Sequence, residues 1–177
     1  MEAVATAIVP AAERGLGLAE KLLEGVEPAK FARLASPGGQ VIQANHAAFI
    51  YGHLSLYPAR IMQAAGREDA AIFEREGWND LFGAGCECRD DPEGTIYPSM
   101  SEITEACLPA YKKVIEQVKG WPDAAFTKPH ALGGRYAEVF ATLGMLTNFM
   151  LLGHTMMHFG QMSTWRRAMG LGSVMRG

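Results

Sequence analysis

The chain has little cysteine, little net charge and no convincing alternation of polar and apolar residues. Its three cysteines, Cys86, Cys88 and Cys107, are an odd number, which argues against a disulfide framework and for a reducing compartment. The first residues lack the basic region of a secretory leader, so the expected location is cytoplasmic. A net charge of −3, with no Lys/Arg stripe, gives no reason to expect a nucleic-acid partner. A phosphate-cradling glycine loop and a Ser-His-Asp arrangement are also missing, which leaves nucleotide hydrolysis and serine chemistry without support. A missing strand pattern leaves helix as the default element.

Charge is also absent from one long run. Between Val139 and Phe159 there is no Asp, Glu, Lys or Arg, a length sufficient to span a bilayer. Thr142, Thr147, Asn148, His154, Thr155 and His158 interrupt it, however, and such residues are costly in lipid. The same composition suits a central helix buried by its neighbours. No membrane segment is expected.

At 177 residues and 49% hydrophobic composition, the chain is expected to form one domain, residues 1–177, around one core. Apolar periodicity predicts four long helices. The first starts near Ala5 or Pro10 and ends about Gly25, with Leu16, Leu18, Leu22 and Leu23 as its stripe. The second covers about Val41 to Ala65 and is kinked at Pro58. Ser99 and Glu102 have capping-box spacing and start the third, which Gly120-Trp-Pro122 ends. The fourth is capped by Thr142 and closed by Gly170, with Arg166 and Arg167 opposing its dipole. Residues Arg67 to Pro98 form a long crossover between the second and third, with a short helix around Asp69–Glu76, and 123–140 is expected to be irregular. This describes an all-α four-helix bundle.

Within the fourth helix, His154-Thr-Met-Met-His158 places two imidazoles one turn apart on one face. Two neutral imidazoles so placed chelate one divalent ion when a third ligand comes from elsewhere. His53, mid-helix among Phe49, Ile50, Leu54 and Leu56, is the best third candidate, and Gly52 beside it would admit a close neighbour. His46 lies near a helix start and is read as part of the helix end rather than as a ligand. His130, in a Lys-Pro-His loop, is expected to be solvated. Cys86-Glu-Cys88 has no second pair to complete a four-ligand site. Tyr57, four residues past His53, and Gln161, three past His158, are possible helpers at the site, while Glu102 reads as a cap and Glu105 as a possible orienting group.

The sequence Asn45-His46-Ala-Ala-Phe-Ile-Tyr-Gly52-His53-Leu54, with Thr142-Leu-Gly144, His154-x3-His158-x-Gly160-Gln161, Arg166-Arg167 and Gly170, resembles the DinB-like superfamily. That group includes DinB proteins and thiol transferases for bacillithiol and mycothiol. The resemblance implies a bundle in up-down-down-up order, often a homodimer, with a Zn²⁺ or Ni²⁺ ion on His53, His154 and His158. Fe²⁺ and Mn²⁺ also suit three imidazoles. Such a site keeps a coordination position open and lowers the pKa of a bound water or thiol. The expected function is therefore a metal-dependent enzyme of thiol S-transferase or hydrolase type, acting on a small molecule with a low-molecular-weight thiol as possible partner. The alternative is a non-catalytic metal-binding bundle in which the ion ties two helices together. Met145, Met150, Met156, Met157 and Met162 are expected to give the site an adaptable apolar lining, at least half of them serving as ordinary core.

Overall fold

Most of the helical periodicity is realised as helix. The computed structural model describes residues 1–174, and every regular element among them is helical. Helix α1 spans Ala3–Leu23 and buries Ala5, Ile8, Val9, Ala12, Gly15, Ala19 and Leu22, a stripe that returns every three or four residues. Pro10 lies inside it rather than at its first turn, on the exposed side, where the missing amide costs least. Single 3₁₀ turns at Pro28–Lys30 and Pro37–Gly39 carry the chain to the next helix.

The second predicted helix is shorter and divided. Helix α2 is Ala47–Ser55 and α3 is Tyr57–Ala64. Val41 and Ile42 carry the apolar pattern upstream but are exposed loop residues, 52% and 40% accessible, because His46 supplies the cap that fixes the start at Ala47. Pro58 does not kink a continuous helix; it occupies the first turn of α3, where no amide donor is needed. All nine residues of α2 are buried, so this helix has no solvent face and can present side chains only to its neighbours.

The crossover holds a 3₁₀ stretch, Glu68–Phe73, and then helix α4, Trp78–Phe82, of which the apolar periodicity gives no sign. Helix α5, Met100–Lys119, opens on the expected capping box: Ser99 accepts from the Glu102 amide and Glu102 reaches back to the Ser99 amide. Two short helices, α6 (Asp123–Phe126) and α7 (Arg135–Val139), lie in the stretch predicted to be irregular. Thr142 caps α8 (Leu143–Asn148), a π turn covers Phe149–Gly153, and α9 runs from His154 to Ala168. Gly170, at φ 80°, closes α9: its amide bonds Arg167 and the next amide bonds Arg166, a Schellman pairing.

Helix α1 packs on α5 and α9, and α2 packs on the same two helices. Arg166 is buried on α9 and donates to the carbonyls of Leu22 and Glu24, so it closes the C-terminal end of α1 rather than only that of its own helix. No helix among the described residues is long and apolar enough to cross a membrane.

Candidate metal centre

The buried stripe of α9 is His154, Thr155, His158, Phe159, Met162, Trp165 and Arg166. It faces α2, and the two helices bring three imidazoles to one point. His53, His154 and His158 are 6%, 5% and 5% accessible, and their ligating nitrogens all lie within 4.8 Å of one another. The Nε2 atom of His154 is 3.2 Å from that of His53 and 3.1 Å from that of His158. A tetrahedral ion with bonds of ~2.0–2.1 Å sets its ligand atoms ~3.3–3.4 Å apart, and right-angled coordination at that length sets them ~2.9 Å apart. The observed separations fall between these two geometries.

Two of the rings are oriented through their other nitrogen. His53 Nδ1–H donates to the Phe82 carbonyl at 2.7 Å, and His158 Nδ1–H donates to Gln161 Oε1 at 2.9 Å. Each neutral ring then turns an Nε2 lone pair toward the centre. His154 Nδ1 is buried and has no hydrogen-bond partner among the described residues. Protons alone satisfy this cluster poorly. With its proton on Nε2, His154 donates toward the pair but leaves a buried Nδ1 lone pair orphaned; with the proton on Nδ1, three lone pairs converge. A divalent cation accepts all three, so the donor set fits one. Burial holds the His53 imidazole down to about 4 and His154 to about 3, and also lowers His158, so all three are neutral and able to ligate near pH 7.

The neighbouring groups are set by packing. A Cβ at Gly52 would overlap the ring of Phe82, so glycine is what lets α4 press against α2 and offer its carbonyl to His53. Gln161 accepts from His158 Nδ1–H and also from Asn45 Nδ2 at 3.2 Å, in the loop before α2. Tyr57 is buried, its ring 4.0 Å from that of His154, and burial pushes its hydroxyl up to about 12. The Arg60 guanidinium lies 4.6 Å over the Tyr57 ring. Its charge further disfavours protonation of His53 and His154.

A cleft of about 660 Å³ reaches this cluster from the surface, lined by all three histidines together with Tyr57, Phe49 and Phe149 among others. Its apolar lining is mainly aromatic, which corrects the expected methionine lining: only Met157 of the five faces it. Met150 and Met162 are fully buried core, and Met145 and Met156 are exposed.

Other predicted residues fall elsewhere. His46 is the N-cap of α2, accepting the Phe49 amide on Nδ1 and donating from Nε2 to the Arg89 carbonyl. His130 is half-buried rather than solvated, because the loop folds over it: Nε2 donates to the Phe140 carbonyl and Nδ1 accepts from the Leu132 amide. Cys88 accepts the His46 amide, while Cys86 lines the cleft without joining the histidine group. Glu102 is the capping residue, and Glu105 is exposed beside Lys112 and Ile72, away from the cluster.

The chain matches no family model, no curated protein and no solved structure.

Phe82, Asn45 and Arg135 join this site without being predicted to do so from the sequence. Gly52 is the one available signal for Phe82, since a glycine in a buried helix marks a close approach.

Proposed function

We propose that the protein is a divalent-metal-dependent enzyme of the DinB-like type, with His53, His154 and His158 as ligands. The single observation that carries this reading is that the convergent imidazoles form the floor of an open cleft. A purely structural ion tying α2 to α9 has no need of such an opening, so the non-catalytic alternative is less well supported. The fold supports the same assignment: α1, α2 with α3, α5, and α8 with α9 supply four long helical runs, which we take as an up-down-down-up four-helix bundle.

A bound Zn²⁺ or Ni²⁺ would supply Lewis acidity and lower the pKa of a coordinated water or thiol. The protein's own contribution is positional. Phe82 and Gln161 fix two rings, and Arg60 adds positive charge behind Tyr57. The Arg60 charge acts on His53 and His154, and no carboxylate among the described residues contributes at any of the three imidazoles. The site therefore favours an anion such as thiolate or hydroxide, in keeping with a thiol S-transferase or hydrolase acting on a small molecule.

Elemental analysis of protein purified without an affinity tag tests this first. About one divalent ion per chain is expected, lost in His154→Ala and in His53→Ala. Turnover across panels of thiols and of electrophilic or amide substrates should disappear on chelation and return with metal. Turnover that survives complete metal removal would overturn the reading.

A further inference from the structure

The histidine cluster occupies only the floor of the cleft. Its upper wall comes from the segment containing α7, which contributes Arg135, Tyr136, Val139 and Phe140. Two features of the cleft lining are turned toward solvent. Val139 and Met157 are among the most exposed large apolar side chains, 55% and 53% accessible, Phe149 is 39% accessible, and all three line this one cleft. Large apolar groups left wet around one opening mark a surface that a ligand covers. Arg135 lines the same cleft and forms no side-chain hydrogen bond or ion pair among the described residues, whereas the half-buried Arg33 is held by the Asp90 carboxylate.

The charge on the lining is one-sided. Among the described residues Arg135 is the cleft's one Arg, and neither Lys, Asp nor Glu lines it. A single guanidinium presents a planar fork with one unit of charge, which matches a carboxylate; a phosphate dianion would call for a second cation on this wall. We propose that the cleft selects a carboxylate-bearing small molecule with a flat apolar body, the carboxylate on Arg135 and the body against Phe49, Phe140 and Phe149. Arg135 is thus the specificity-determining residue, acting at a distance from the ligating nitrogens. The inference rests on the metal reading only in assigning this molecule as the substrate of the site.

Phenylacetate and its uncharged isostere phenylacetamide are suitable probes, titrated by calorimetry into the cobalt-loaded and the metal-free protein. Cobalt's visible absorption reports separately whether the histidines hold an ion. If it does not develop, the metal assignment fails while the metal-free titrations still test Arg135. In wild type, phenylacetate should bind about tenfold more tightly than the amide, the lower end for a charge-assisted hydrogen bond because Arg135 is exposed. Arg135→Gln should abolish that preference, and Arg135→Lys should restore part of it. Unchanged melting temperature would show that the variants fold. Phe149→Ala should weaken both probes alike. Equal binding of acid and amide by wild type, or a preference that survives Arg135→Gln, overturns the proposal.

Discussion

Replacing Gly52 with Ala adds one methyl group and should disturb the metal centre from outside it. The new Cβ would overlap the Phe82 ring, which is completely buried and held by Phe49, Trp78 and Tyr97, so the ring has nowhere to rotate. Overpacking of this kind costs about 1–3 kcal/mol, while Ala gains about 0.5–1 kcal/mol over Gly inside a helix. The net is a loss of up to about 2.5 kcal/mol, or as much as roughly 10 °C in melting temperature for a chain of this size. The larger effect is on the ion. Relief of the overlap moves α4 away from α2 and stretches the bond from His53 Nδ1 to the Phe82 carbonyl, leaving the ring free to turn. Loss of such an orienting partner weakens metal affinity by about 10- to 100-fold. Competition with a chromophoric chelator measures affinity, and differential scanning calorimetry of the metal-free protein measures stability. Gly160→Ala is the internal control: nothing lies within 4 Å of its Cβ position, so that variant should gain about 0.5–1 kcal/mol and bind metal normally. Metal affinity unchanged in Gly52→Ala would show that Phe82 does not orient His53.

Two further perturbations separate fold from site. Arg166→Met should lower the melting temperature by about 4–16 °C, because losing the cation leaves the carbonyls at the end of α1 without donors, a cost of about 2–4 kcal/mol; a shift within about a degree would refute the cap. His46 is neutral in the fold because burial lowers its pKa, and protonation would place a second donor against the Phe49 amide. Its stabilisation is therefore complete above the ordinary value of 6.5 and is lost as pH falls from there toward the depressed folded value. In metal-free protein His53 and His154 titrate in the same direction, over windows reaching down to about 4 and about 3. The His46 share is isolated by comparison with His46→Asn, which keeps a capping side chain and should lose less stability than wild type as a urea titration is moved from neutral to mildly acidic pH. Equal losses would assign the acid sensitivity to the other imidazoles alone.

Local signals are legible in the sequence and distant ones are not. His154 and His158 can be paired because one helical turn fixes their relation, and Ser99 with Glu102 can be read as a start because capping is a contact across three residues. His53 can be added because a histidine in an otherwise apolar run must be buried and partnered. By contrast, α2 begins later than the pattern predicts: Val41 and Ile42 continue the apolar periodicity, but tertiary packing leaves them in the loop. Phe82 lies far from His53 along the chain, and its role passes through a backbone carbonyl, which carries no residue signature. The aromatic wall around α7 is hidden for a similar reason, since its position depends on how a short helix and its loops settle over the cleft.

The π turn at Phe149–Gly153 ends where α9 begins, at His154. A wide turn accommodates more residues than a regular one, so removing a single residue there could restore ordinary pitch without breaking the rod. Five residues in a wide turn and four in an ordinary one sweep about the same angle, so such a deletion would keep α8 in phase with α9. A deletion within α9 between His154 and His158, which no wide turn absorbs, would instead rotate one imidazole by ~100° away from its partners. The wide turn is thus the place where this helical run should tolerate a change in length.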